Sequence, residues 1–181
     1  MHLQKEQTRV VVAFKTNIVL GLDQISDFCD PKDILSRSPN RLMISHQSGI
    51  IVICASGKGT CQGLEREEDA VTAINDWCNS IAEKANTPFF TAENIHLKMV
   101  FCTSSLPECP PLEVLALFQP ETCKYEPEIY PGLIYEPLKG YGEKAHILLS
   151  GRVVVSARSL SLAEGMLEMV EKLLKSVPQK S

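Results

Sequence analysis

Hydrophobic positions along the chain fall into short alternating or continuous runs broken by turn residues, with two long stretches at helical spacing. Val10-Val11-Val12-Ala13-Phe14 is rich in β-branched and aromatic types and predicts a strand, preceded by a polar, frayed N-terminus over residues 1–8. Leu22, Ile25 and Phe28 recur every third residue and predict a short helix over Asp23–Phe28, ended by Asp30-Pro31, with a second helical turn over Asp33–Ser36. Strands follow at Arg41–His46 and Ile50–Cys54 around Gln47-Ser48-Gly49, and Ser56-Gly57-Lys58-Gly59 turns the chain into Thr60-Cys61-Gln62. A long helix over Glu65–Ala85 has an inward stripe of Ala70, Ile74, Trp77, Ile81 and Ala85. Glu65, Glu67, Glu68 and Asp69 stand at its start, where they complement the helix dipole.

The same order then repeats. A strand is predicted over Leu97–Thr103, a short helix over Leu112–Phe118, strands over Gly132–Tyr135, Ala145–Leu149 and Val153–Ala157, and a closing helix. That helix opens on a capping box, Ser161-Leu162-Ala163-Glu164, and its stripe is Leu162, Met166, Val170, Leu173 and Val177. Leu22-x-x-Ile25-x-x-Phe28 recurs 90 residues later as Leu112-x-x-Leu115-x-x-Phe118, and Ser56-Gly57-Lys58 recurs after 94 as Ser150-Gly151-Arg152. Several matches in one order at near-constant offset define two pseudo-repeats, 9–88 and 89–178. The expected fold is α+β, with about ten strands merged in one antiparallel sheet and two long helices covering one face.

Composition narrows the chemistry. The 181 residues carry a net charge of −4, and each half holds nine basic and eleven acidic residues, so neither half is a basic module. Seven cysteines, an odd number, with no apolar signal segment after Met1, favour free thiols in a reducing compartment. No C-x-x-C pair is present, so no metal and no cofactor are expected. Without an apolar run near the ~20 residues that span a bilayer, no membrane partner is expected. The four histidines, at 2, 46, 96 and 146, stand apart from any nucleophile motif. Ser56-Gly57-Lys58-Gly59-Thr60 lacks the leading glycine of a phosphate loop and runs into a strand, so no enzyme is expected.

One stretch remains, Tyr125-Glu126-Pro127-Glu128-Ile129-Tyr130-Pro131-Gly132-Leu133-Ile134-Tyr135. Its prolines fix φ and stiffen the loop, which reads either as a protein-docking tip or as a tight hairpin corner. This segment closely resembles the second-repeat stirrup and following strand of the TATA-binding protein family. Cys54-Ala55-Ser56-Gly57-Lys58 and Leu148-Leu149-Ser150-Gly151-Arg152 stand where that family has a Phe-x-Ser-Gly-Lys hairpin in each repeat, and Leu20-Gly21-Leu22-Asp23 looks like the start of its first short helix. The resemblance spans about Arg9 to Pro178.

The resemblance implies a two-repeat saddle whose concave sheet lies on a widened DNA minor groove while the convex helices bind other initiation factors. The family kinks DNA with four phenylalanine wedges, a mechanism for which it is itself the standard example. The matching positions here are Leu42, Cys54, Tyr130 and Leu148. The family's base-contacting asparagines match Arg9 and Lys98; its groove-floor valines match Val11, Val100 and Val154, with Thr60 as the fourth. Its base-contacting threonines match Gln62 and Ser156, its phosphate contacts match Lys58 and Arg152, and a basic position is Glu136. Glu126, Glu128 and Ile129 match its docking set for transcription factor B or a B-related factor. The implied function is an initiation factor on A·T-rich promoter DNA with weakened or altered preference, placed in the nucleus if the source is eukaryotic. The alternative is an interaction module on the same fold that no longer binds such DNA.

Overall fold

The computed structural model describes residues 3–138 and 140–177. Met1 and His2 of the expected N-terminal stretch, and Pro178 at the expected end of the second repeat, lie outside them. The strands form a ten-stranded antiparallel sheet, accompanied among the described residues by four α-helices. The chain divides into two compact units, one of Arg9–Lys98, the other from Met99 onward together with the residues before Arg9.

The Arg9–Lys98 unit contains most of β1 (Gln4–Thr16), then α1 (Leu22–Phe28), a 3-10 turn (Pro31–Asp33), β2 (Ile34–Ser38), β3 (Arg41–His46), β4 (Gly49–Cys54), β5 (Lys58–Leu64) and α2 (Glu67–Lys84). Its strand order is β2-β3-β4-β5-β1. The helical turn expected over Asp33–Ser36 is instead a strand. The Asp30 side chain accepts from Lys32 N–H and confines the turn to Pro31–Asp33, after which Ile34–Ser38 pairs with β3. α2 presses Ala70, Ala73, Ile74, Trp77, Cys78 and Ile81 inward. Trp77 stands edge-on to Phe14 of β1 at 6.1 Å and to Phe90 at 6.0 Å, and all three rings are buried. Such edge-to-face contacts add stabilisation beyond the area they bury.

The other unit contains β6 (Ala92–Ser105) from Met99 on, α3 (Leu112–Phe118), β7 (Cys123–Tyr125), β8 (Gly132–Tyr135), β9 (Lys144–Leu148), β10 (Arg152–Ala157) and α4 (Leu160–Ser176), in the strand order β6-β10-β9-β8-β7. α4 packs on β9 and β10. Its N-cap is Ser159, whose hydroxyl accepts from Leu162 N–H at 3.3 Å, so the expected box at Ser161 is not used. Starting earlier turns Leu162 outward, to 46 % exposure, and the buried stripe runs through Ala163, Met166, Leu167, Val170, Leu173 and Leu174. The segment expected to fray is also tied down in this unit. Leu3 N–H donates to Glu171, Lys5 pairs with Glu164 at 3.0 Å, and β1 already begins at Gln4. Among the described residues no helix is long and apolar enough to cross a membrane.

Candidate nucleic-acid interface

Successive side chains of a strand point to opposite faces, and helices cover one face only of each unit. In the Arg9–Lys98 unit Val10, Val12, Phe14, Leu42, Ile44, Ile51, Ile53 and Cys61 are buried on the helix side. The open side carries the alternate residues, aligned by the strand registers. Met43, Val52, Thr60 and Ala13 form one row; Ser45, Ile50, Gln62 and Val11 form the next. Arg41 stands opposite Cys54, and Lys58 opposite Lys15. In the other unit the central row is Lys124, Ile134, His146, Val154 and Thr103. It is flanked by Lys144, Ser156 and Phe101 on one side, and by Gly132 with Leu148 and Arg152 with Ser105 on the other.

These open sides share a composition that the whole chain lacks. Apolar side chains such as Val11, Met43, Ile50, Val52, Phe101, Ile134 and Val154 stay half-exposed, which a face meant only for water has no reason to keep. The charged groups among the paired positions are Lys15, Arg41 and Lys58 in one unit and Lys124, Lys144 and Arg152 in the other. No carboxylate occupies a paired open-side position among the described residues; Glu136, past the end of β8, comes next along its strand. A chain with 22 acidic and 18 basic residues thus keeps its acids off these paired positions. An apolar surface whose paired charged positions are all cations, with Glu136 beside Ile134 and Lys124 at one edge, fits a polyanion whose flat interior is itself apolar.

Local geometry sets the polar groups at the strand ends. In both Ser-Gly turns the glycine has positive φ, +77° at Gly57 and +81° at Gly151, and its N–H donates back to Cys54 and Leu148 carbonyls at 2.9 Å. The turns place Lys58 and Arg152 as the first residues of β5 and β10. Tyr130 reaches the open side from the loop before β8. Its ring lies edge to face on His146 at 5.4 Å, and its Oη is 3.2 Å from His146 Nδ1. Gly132 makes this possible, because a Cβ there would stand 2.7 Å from Tyr130 Cε1 and 2.8 Å from Leu148 Cδ2. Burial, with Lys144 adding to it, holds His146 below the ordinary imidazole pKa. The thiols of Cys61 and Cys78 are pushed by burial up to about 11 and about 12, so neither supplies a thiolate near neutrality.

The open sides bring together Val11, Cys54, Lys58, Thr60 and Gln62 in one unit, and Tyr130, Leu148, Arg152, Val154 and Ser156 in the other. Ser156, opposite Phe101, is only 6 % exposed. Arg9 is engaged by Glu65 at 3.1 Å, an exposed pair worth little and open to exchange for another anion. Three expected contacts are misplaced. Leu42 is fully buried on the helix side, opposite Ile53, and β3 offers Met43 and Arg41 to the open side instead. Val100 is 1 % exposed on the helix side opposite Ala157, and Lys98 shares its phase. Phe101 and Thr103 occupy the open side of β6. The repeat itself holds the signal that finds them, since the 90-residue offset of the short helices carries Val11 to Phe101 and Ala13 to Thr103.

The proline-rich corner is a closed turn, with Ile129 and Tyr130 N–H groups both donating to the Glu126 carbonyl at 2.9 Å. Glu126 and Glu128 are exposed, and Ile129 is 81 % exposed.

No protein-family model matches the chain. A TATA-box-binding protein of Methanococcus aeolicus is 29% identical over 151 residues, covering 81% of this chain and 80% of that protein. One from Methanococcus maripaludis is 26% identical over 172 residues, covering 94% and 92%. One from Acetabularia peniculus is 33% identical over 107 residues, covering 58% and 53%. Among solved structures, Methanococcus jannaschii TBP has the same fold, with a TM-score of 0.72 at 24% identity over 98% of this chain and 100% of that one.

Proposed function

The chain is a divergent protein of the TATA-binding protein family, and from that premise we propose that it is a transcription initiation factor whose open sheet sides lie on the minor groove of promoter DNA. The observation that carries this reading is the distribution of charge. The paired open-side positions hold Lys15, Arg41, Lys58, Lys124, Lys144 and Arg152 around an apolar floor and no carboxylate among the described residues. The cations meet phosphates, the half-exposed valines and isoleucines meet the groove floor, and Tyr130 with Leu148 forms an apolar wedge. Cys54 is too short to fill an opened base step, and Leu42 faces the helices. The proposed preference is thus for A·T-rich DNA, with affinity reduced where these wedges are missing. No step of this role is catalytic. In a eukaryotic cell it would be carried out in the nucleus.

A salt titration tests the reading. Binding to a short A·T-rich duplex should weaken linearly in log–log form with a slope of about −4 to −5, the value for roughly five phosphates neutralised. A slope near zero, or no binding at low salt, would leave a protein-interaction module on the same fold as the better account.

The exposed corner favours a protein partner as well. Glu126, Glu128 and Ile129 sit on a hydrogen-bonded turn that loses little entropy on docking, and they suit a basic surface with an apolar pocket. We propose a transcription-factor-B-like partner there, with further initiation factors on the outer faces of α2 and α4. Glu126→Arg combined with Glu128→Arg should abolish capture of purified factor B in a pull-down, while the melting temperature stays within a degree or so because the turn is exposed. Retention of the partner by the doubly reversed protein would move the docking site elsewhere.

A further inference from the structure

Val52 and His146 stand 94 residues apart, at the same place in the central open-side row of their two units. Where one repeat has an inert isopropyl group, the other has a titratable ring, half-buried between Val154 on β10 and Ile134 on β8. The Nδ1 of that ring lies 3.2 Å from Tyr130 Oη, so one proton is shared between them and only one of the two atoms can donate. We propose that His146 sets the hydrogen-bonding sense of the Tyr130 hydroxyl, and through it which base pair this end of the interface prefers. The proposal rests on the minor-groove reading above.

The phenol is the stronger acid and the neutral imidazole the stronger base, so the neutral pair forms as O–H···Nδ1. Tyr130 then presents only oxygen lone pairs to a ligand. In the minor groove a G·C pair offers a donor, the guanine N2 amino group, whereas A·T pairs offer only the acceptors N3 and O2. Protonated His146 must donate through Nδ1. Tyr130 then keeps its own hydrogen for N3 or O2, and the preference turns towards A·T. The charged groups facing this site are Lys144 on the same strand, Arg152 on β10, Lys124 on β7, Glu136 past the end of β8, and Glu128 in the corner before Tyr130. Burial, with Lys144 adding to it, keeps the free protein's imidazole neutral near pH 7, and phosphates of a bound duplex offset the Lys144 charge, which draws the proton on.

The test uses the full chain with three duplexes of equal length, one of A·T pairs throughout and two with G·C pairs confined to one half or the other. Dissociation constants are measured by fluorescence anisotropy at pH 5.0 and pH 8.0 and fixed ionic strength. The ratio of G·C to A·T constants cancels the general gain from added positive charge. For one of the two placements this ratio should rise about fivefold or more on acidification, the low end of what one discriminating hydrogen bond contributes. Tyr130→Phe, which keeps the ring, and His146→Gln should each lose the response of the ratio to pH, whatever the change in their absolute affinities. A parent ratio unchanged between the two pH values, or a response that persists in either variant, overturns the proposal alone. Absence of binding to every duplex overturns the minor-groove reading and this proposal with it.

Discussion

Replacing Lys144 and Arg152 together by glutamate should lower affinity for duplex DNA on the order of a hundredfold or more at 0.1 M salt, uniformly across sequences. Both side chains stand on the open side at strand ends, exposed, and neither has an ion-pair partner among the described residues that its loss would orphan. Each phosphate contact removed takes away roughly one unit of salt slope, and each carboxylate introduced adds repulsion of its own. The slope should therefore fall by about two while the A·T preference of the remaining contacts survives. Electrophoretic mobility shifts over a salt series read both quantities. Urea unfolding should be unaffected, because the substituted groups face solvent. Affinity within a factor of two of the parent would mean that the open side is not where phosphates lie.

Trp77→Ala should cost about 3–5 kcal/mol of stability, the range for removing a buried large aromatic side chain. Trp77 is 2 % exposed and lies edge-on to both Phe14 and Phe90, so its loss leaves a cavity that two other rings line and that α2 cannot close by shifting alone. Among the described residues its indole N–H has no hydrogen-bond partner, so removing it forfeits packing and no polar contact with them. Trp77→Phe should recover much of the loss. Circular dichroism during urea unfolding is the appropriate measure, since Trp77 is the chain's single tryptophan and its fluorescence disappears with the substitution. A loss below about 1 kcal/mol would show that this aromatic cluster does not organise the unit.

How much of this was legible in the sequence depends on whether the information was local. The short helix Leu112–Phe118, the strands Arg41–His46 and Gly132–Tyr135, and both Ser-Gly turns follow from spacing and glycine alone, and the structure places each at its expected residues. Strand phase did not follow. Arg41-Leu42-Met43-Ile44 and Leu97-Lys98-Met99-Val100-Phe101-Cys102 carry apolar groups at both phases, so alternation cannot say whether Leu42 or Met43, Val100 or Phe101, meets the helices. Only the helices decide that. The charge segregation was hidden for a related reason. Acidic residues such as Glu67, Glu68, Asp69 and Asp76 lie on α2 close in sequence to Lys58, and averaging along the chain cancels what pairing across strands separates. The Tyr130–His146 contact joins residues 16 apart that meet only because β8 and β9 pair in one register.

The bond from Leu3 N–H to Glu171 and the pair of Lys5 with Glu164 have a bearing on the order in which the polypeptide is made. The unit of Arg9–Lys98 is contiguous and can bury Trp77 against Phe14 and Phe90 as soon as its last residue leaves the ribosome. The other unit takes its earliest-made residues from before Arg9 and its fastening points from α4, so its first strand segment waits through most of translation for the acids that anchor it. Nascent chains truncated before α4 would thus carry one finished half and a first strand segment without its two carboxylate anchors, which makes the last helix the step that completes the fastening of the chain's start.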